Sequence, residues 1–299
     1  MKRKRRDEQV TVGVIGGSGL YDIEGLTSTR SIRVRTPFGA PSDAITVGSL
    51  EGIRVAFLSR HGRGHLLNPS AINYRANIFA LKSLGVSHVI SISAVGSMKE
   101  SIHPGDVVVP DQFIDLTKRR VSTFFDHGVV AHVAFGEPVC AELGQVLLSA
   151  GEKVDANVHR GGTYLCMEGP QFSTKAESRL YRQWGVDVIG MTNMPEAKLA
   201  REAELCYGTL ALVTDYDCWH ETEAAVTVEA VLGTLHRNVA LAKQILRAVV
   251  PAFTDPFECP CHRALDHAIL TAPNRIPTAV RKKLAPLIDR ALSPKKGVR

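Results

Sequence analysis

Long apolar runs are missing from this 299-residue chain. No stretch of 18 apolar residues occurs, so no helical membrane span is expected. A secretory leader is missing too: Asp7-Glu8-Gln9 breaks the basic start before an apolar segment can form, and a cytoplasmic location is the expectation. None of the six cysteines, Cys140, Cys166, Cys206, Cys218, Cys259 and Cys261, forms a Cys-x2-Cys pair. The densest run, Cys259-Pro260-Cys261-His262, offers three zinc ligands without an evident fourth, so no metal site is assigned. The body also lacks an excess of charge of either sign. Net charge is +6, but Met1 to Arg6 alone carry five positive charges and Lys295, Lys296 and Arg299 add more. A near-neutral body argues against a nucleic-acid partner, and residues 1–9 read as a solvated basic tail.

What is present is an ordinary globular composition, 44% hydrophobic and 22% charged. Strand-like runs alternate with helix-like ones over residues 10–253, which indicates one α/β domain. After Pro251 an extended, proline-punctuated stretch leads into short helical segments, giving a C-terminal extension over residues 254–299. Three local features carry structural predictions. Asn68-Pro69 predicts a helix start, with Asn as cap and Pro at the first helical position. Thr174-Lys175-Ala176-Glu177 has capping-box spacing, and so do Asn193 and Glu196. Residues 111–137 read as irregular.

The candidate chemistry sits where strand-like runs end. Val10 to Ile15 runs into Gly16-Gly17-Ser18-Gly19, whose glycines let backbone amides approach an anion and whose Ser18 hydroxyl adds a donor. The pattern lacks both the third glycine of a dinucleotide fingerprint and the Gly-Lys-Ser/Thr of a Walker loop. Ile53 to Leu58 ends in Ser59-Arg60-His61-Gly62, where a guanidinium suits paired bonds to an oxyanion. Val86 to Ser93 runs into Ala94-Val95-Gly96-Ser97, a third small-residue loop. Hydroxyls, amides and one guanidinium suit a free inorganic oxyanion better than a triphosphate. Phe172 and Met191 offer apolar surface for a flat ring and a sugar.

Cys206 to Val213 reads as a buried parallel strand, and it ends in Thr214-Asp215-Tyr216-Asp217-Cys218-Trp219. On a strand, Asp-x-Asp spacing puts both carboxylates on one face. Three roles stay open for this pair at that point: a divalent-metal site, proton exchange with substrate, or a cap for the next helix.

Five segments taken in order narrow the choice. Gly16-Gly17-Ser18-Gly19-Leu20, Ser59-Arg60-His61-Gly62, Glu168-Gly169-Pro170-Gln171-Phe172-Ser173, Met191-Thr192-Asn193-Met194-Pro195-Glu196 and Thr214 to Trp219 resemble those of the 5′-methylthioadenosine phosphorylase family. This is the trimeric branch of the purine nucleoside phosphorylases. The resemblance spans roughly residues 10–250. It implies a single-domain nucleoside phosphorylase-like fold with a central mixed twisted sheet flanked by helices. It also implies phosphate-dependent cleavage of methylthioadenosine, with phosphate as co-substrate and no cofactor, and a homotrimer or dimer of trimers. By resemblance, Ser18, Arg60, His61, Ser93, Ala94 and Thr192 bind phosphate. Phe172, Met191, Tyr216 and the two aspartates line the nucleoside, with Asp215 and Asp217 catalytic at the purine N7 and 6-amino edge. Ser173, Val228 and His132 tune substrate preference, His132 by reaching a neighbouring subunit's ligand. Family members often have Thr where this chain has Ser18 and Ser93, which keeps the hydroxyl. The resemblance further implies disulfides Cys140–Cys206 and Cys259–Cys261, as some relatives carry them.

The alternatives make distinct predictions. A broader purine nucleoside or methylthioinosine phosphorylase on the same fold would turn over inosine faster. A glycosyltransferase using Asp-x-Asp would lose activity with EDTA. A nucleic-acid binder would show salt-sensitive binding that disappears on deleting residues 1–6.

Overall fold

The computed structural model describes residues 10–17, 20, 22–220, 228–254 and 259–293. Ser18 and the basic tail lie outside these residues, as does the side chain of Val228.

The chain forms a central mixed sheet between two helical layers. Its strands are β1 (Val12–Gly16), β2 (Thr27–Ile32), β3 (Ile45–Leu50), β4 (Ile53–Ser59), β5 (His88–Ser97), β6 (Val107–Val109), β7 (Gln112–Asp115), β8 (Val158–Arg160), β9 (Thr163–Cys166), β10 (Val188–Gly190) and β11 (Cys206–Asp215). Period-2 geometry explains why β11 reads as a solid apolar run. Cys206, Leu210 and Leu212 face one core cluster, while Tyr207, Ala211 and Val213 face the other. The first face packs against α2 (Ala141–Lys153) and α5 (Val228–Val249). The second packs against α4 (Asn193–Glu202), and its core cluster also takes in α1 (Tyr74–Ser83) and α6 (Thr278–Leu292). The C-terminal residues share these cores: Cys259 and Cys261 join the first cluster, and Leu265, Leu284 and Leu287 the second. The remaining helix, α3 (Lys175–Gln183), covers a smaller cluster that contains Tyr181 and Ile189.

The strand that organises the site is β5. One edge pairs in parallel with β11 along nearly its whole length. The other edge pairs with β1 only over residues 88–91, and with β10, antiparallel, only at Gly96 and Ser97. Between these stretches the sheet splits. Ser93 and Ala94 lie in the split, which begins near the end of β1 at Gly16. Ala94 is the one exposed residue of an otherwise buried strand. A break of this kind at the carboxyl ends of strands is where open α/β sheets bind ligands.

Local expectations fare unevenly. Thr174 and Glu177 form the expected capping box. The helix after Asn68-Pro69 starts later, at Tyr74 with Asn73 as cap; Asn68 instead closes a turn by accepting from the Ser70 and Ala71 amides. Asn193 and Glu196 form no capping box. Both are fully buried, and their side chains serve Thr209 and Arg60. Strand β5 runs on through Ala94 to Ser97, where a loop was expected. The segment read as irregular holds β7.

Candidate active site

The acid pair is built by a bulge and a turn. Pairing of β11 with β5 shifts register between Val213 and Asp215, so Thr214 is the extra residue and β11 bends as it ends. Asp217 lies beyond the strand, at a left-handed φ of 53°. The one-face argument therefore does not hold; the carboxyls are joined by the turn, whose Asp217 amide donates to Asp215 Oδ1 at 2.8 Å. Thr214 Oγ1 lies 2.7 Å from Asp215 Oδ2, and Ser178 Oγ donates to Asp217 Oδ2 at 2.6 Å. Gly96 makes room for this turn, since a Cβ there would lie 2.9 Å from Asp215 Oδ1.

Burial raises both carboxyls above their ordinary range. At Asp215 the hydrogen bonds pull the other way and the Asp217 charge adds to the rise. A hydroxyl either donates or accepts, so Asp215 Oδ2 can carry a proton without losing its bond to Thr214. The site is thus equipped to hold a carboxylic acid against a substrate edge.

On the split side of β5, Ser93 Oγ lies 3.1 Å from the Tyr164 hydroxyl and 3.2 Å from Thr192 Oγ1. Thr192 caps α4 without a side-chain bond to the helix, so its hydroxyl is turned toward Ser93. His61 donates Nδ1–H to the Leu67 carbonyl at 2.8 Å, because a carbonyl only accepts. Burial lowers its pKa to about 4, leaving a neutral ring whose Nε2 is an acceptor.

Arg60 occupies an unexpected position. Its side chain is 2% exposed and faces inward. Nε and Nη2 bond both Glu196 oxygens at 2.9 Å, Nη2 also meets Ser91 Oγ at 2.7 Å, and Nη1 meets the Ile92 carbonyl at 2.8 Å. Glu196 in turn accepts from Ser91 and from the Tyr207 hydroxyl. The guanidinium thus closes the split beneath Ser93, with its charge balanced by a buried partner.

Phe172 is 47% exposed beside the acid pair's loop, where Cys218 donates to the Ser173 carbonyl. Met191 is half-buried and packs closely on Gly169. Tyr216 is half-buried and stacks on His220 at 4.6 Å. His132 is not brought to this group. It is exposed, and its backbone pairs with Ala268.

Arg120 was not singled out from the sequence. Its side chain is 1% exposed, and it donates to the carbonyls of Met191, Met194 and Glu168, each at 2.6 Å. It fastens the Thr192 turn to the Glu168 loop. An arginine in a segment read as irregular gave no signal of that role.

Residues 11–251 match the phosphorylase superfamily. A curated S-methyl-5′-thioadenosine phosphorylase from Geobacter sulfurreducens is 59% identical over 93% of this chain and 97% of its own length. One from Koribacter versatilis is 54% identical, covering 97% and 99%. Among solved structures, a methylthioadenosine phosphorylase from an Antarctic soil metagenomic library superposes with a TM-score of 0.90 at 49% identity, covering 94% of this chain and 99% of that one. A mutant adenosine/methylthioadenosine phosphorylase from Schistosoma mansoni, in complex with adenine, gives 0.79 at 34% identity, covering 94% and 98%.

Proposed function

Since the chain belongs to the S-methyl-5′-thioadenosine phosphorylase family of the phosphorylase superfamily, we propose that the split in its sheet is the reaction site. The reaction is phosphorolysis of S-methyl-5′-thioadenosine to adenine and 5-methylthioribose-1-phosphate. One observation carries the assignment of residues: two carboxyls raised by burial stand at one end of β5 and β11, with an array of hydroxyls on the split edge of β5.

Breaking an N-glycosidic bond needs a better leaving group, and protonating the purine N7 supplies one. Asp215 carries that proton, while Asp217 accepts from the 6-amino group; the pair titrates as a unit. Phosphate binds through the Ser93 and Thr192 hydroxyls, the Ala94 amide and Ser18, and meets the developing cationic sugar. His61 Nε2 accepts from a phosphate hydroxyl. Arg60 contributes its positive field and fixes the floor of the site rather than clamping the anion with both prongs. Met191 lines the ribose, Phe172 and Tyr216 flank the base, and Ser173 and Val228 shape the pocket.

Phosphate is a co-substrate, and the mechanism uses no cofactor. No helix among the described residues is long and apolar enough to cross a membrane. We propose further a cytoplasmic homotrimer or dimer of trimers in which His132 serves a neighbouring subunit's site, with no nucleic-acid or membrane partner. Light scattering should then give three or six times the 32.5 kDa chain mass.

The test is chromatographic. Adenine should appear from S-methyl-5′-thioadenosine only with phosphate, and Asp215→Ala should lose at least about 10²-fold in kcat/KM. An Asp215→Ala enzyme within a few-fold of wild type would sink the assignment.

A further inference from the structure

Four of the six cysteines converge far from the acid pair. Cys140 caps the N-terminus of α2, Cys206 opens β11, and Cys259 and Cys261 begin the C-terminal stretch around a 3-10 turn at Pro260–Arg263. All four are buried, with exposures of 2, 0, 7 and 7%. Their sulfurs lie within 4.8 Å of one another, the Cys140 and Cys259 pair at 3.5 Å. Among the described residues none of the six is in a disulfide, and the two pairs implied by resemblance are merged here into one cluster.

We propose that Cys140, Cys206, Cys259 and Cys261 form a structural site for a thiophilic divalent cation, zinc in the first place. Zinc–sulfur bonds of about 2.3 Å in a tetrahedron put the sulfurs about 3.8 Å apart, which the observed spacing brackets. Four sulfurs close the coordination shell, as a structural site requires, and leave no position for substrate. The cluster's surroundings suit metal-bound thiolates. The Leu143 amide donates to Cys140 Sγ at 3.4 Å, and His262 Nε2 lies 3.4 Å from Cys206 Sγ. Such outer bonds orient ligands and share their charge. Glu142 Oε2, 3.9 Å from Cys140 Sγ and 3.7 Å from Cys259 Sγ, belongs to an exposed residue at the rim.

The site would staple the C-terminal stretch to the start of β11, about 30 Å of strand from Asp215. Its loss should lower stability and spare the chemistry.

The test uses the full chain, expressed with zinc in the medium and purified under reductant without chelator. Elemental analysis should find about one zinc per chain, falling below about 0.2 in Cys261→Ser and Cys259→Ser and holding in Cys218→Ala. Cobalt bound to wild type should give thiolate charge-transfer and tetrahedral bands that Cys261→Ser lacks. The Tm of Cys261→Ser should fall by at least about 5 °C with kcat at 25 °C within two-fold. If Cys261→Ser does not fold, the wild-type metal content and cobalt spectrum decide alone. Three results overturn the proposal: zinc below about 0.2 per chain in wild type, iron in its place, or fewer than six titratable thiols in denaturant with zinc removed and no reductant, which would mean disulfides.

Discussion

Gly96→Ala adds a single methyl at the point where β5 passes under the acid pair. That Cβ would stand 2.9 Å from Asp215 Oδ1 and 3.3 Å from the Asp217 amide nitrogen and Cβ. Contacts below 3.0 Å do not persist, so something must move by about half an ångström. The backbone around Asp217 is fixed by its turn, whereas Asp215 Oδ1 is the end of a side chain. The carboxylate is therefore what shifts, away from the Asp217 amide that orients it. A fold that absorbs the methyl through one side chain should lose only about 1–3 kcal/mol, or a few degrees of Tm. Catalysis has no such latitude, because misplacing a reacting group by about 1 Å can cost 10²-fold. We expect kcat/KM for S-methyl-5′-thioadenosine to fall by about 10- to 100-fold. Gly144→Ala is the control: on α2 its Cβ meets only Val109 at 3.9 Å, and activity should be unchanged. A folded Gly96→Ala enzyme within three-fold of wild type would refute the claim that this turn positions the acid.

Two further substitutions test other parts of the site. Because burial raises the folded pKa of Asp217, its contribution to stability is full below the unfolded value near 3.8 and is lost as pH rises through the folded value. Asp217→Asn should accordingly match or exceed the wild-type Tm at pH 8 and lose that advantage near pH 4, while adenine release falls at least about tenfold; a much lower Tm at pH 8 would count against the buried-anion reading. Arg120→Lys replaces three carbonyl bonds with one compact ammonium, loosening the Thr192 turn. The KM for phosphate should rise about tenfold with kcat changed less, and steady-state rates against phosphate would show otherwise if the turn holds without it.

Much of the architecture was legible because β11 is buried on both faces and reads as a nearly continuous apolar run, while β4 and β5 keep enough buried apolar residues between their polar ones to read as strands. The acid pair was legible because it follows such a run directly. What escaped depended on partners distant in sequence. Arg60 read as an anion ligand because a strand-end guanidinium often is one; its counter-charge, Glu196, lies 136 residues away and was taken for a helix cap. The bulge at Thr214 leaves no residue signature, so two acids that looked like neighbours on a strand are a strand end and a turn. The four-cysteine cluster was half visible. Cys259-Pro260-Cys261 announced itself, but Cys140 comes from 119 residues earlier and only the fold supplies it.

In the function we propose, a buried aspartate pair reads the 6-amino edge of a purine while phosphate attacks its sugar. The most direct measurement compares kcat/KM for S-methyl-5′-thioadenosine with that for its 6-oxo counterpart at fixed phosphate. A carboxylate accepts from an amine and has no bond to offer a carbonyl, so the amino substrate should lead by at least about tenfold, with no cleavage when phosphate is omitted. Faster turnover of the 6-oxo substrate, or cleavage at the same rate without phosphate, would contradict the account.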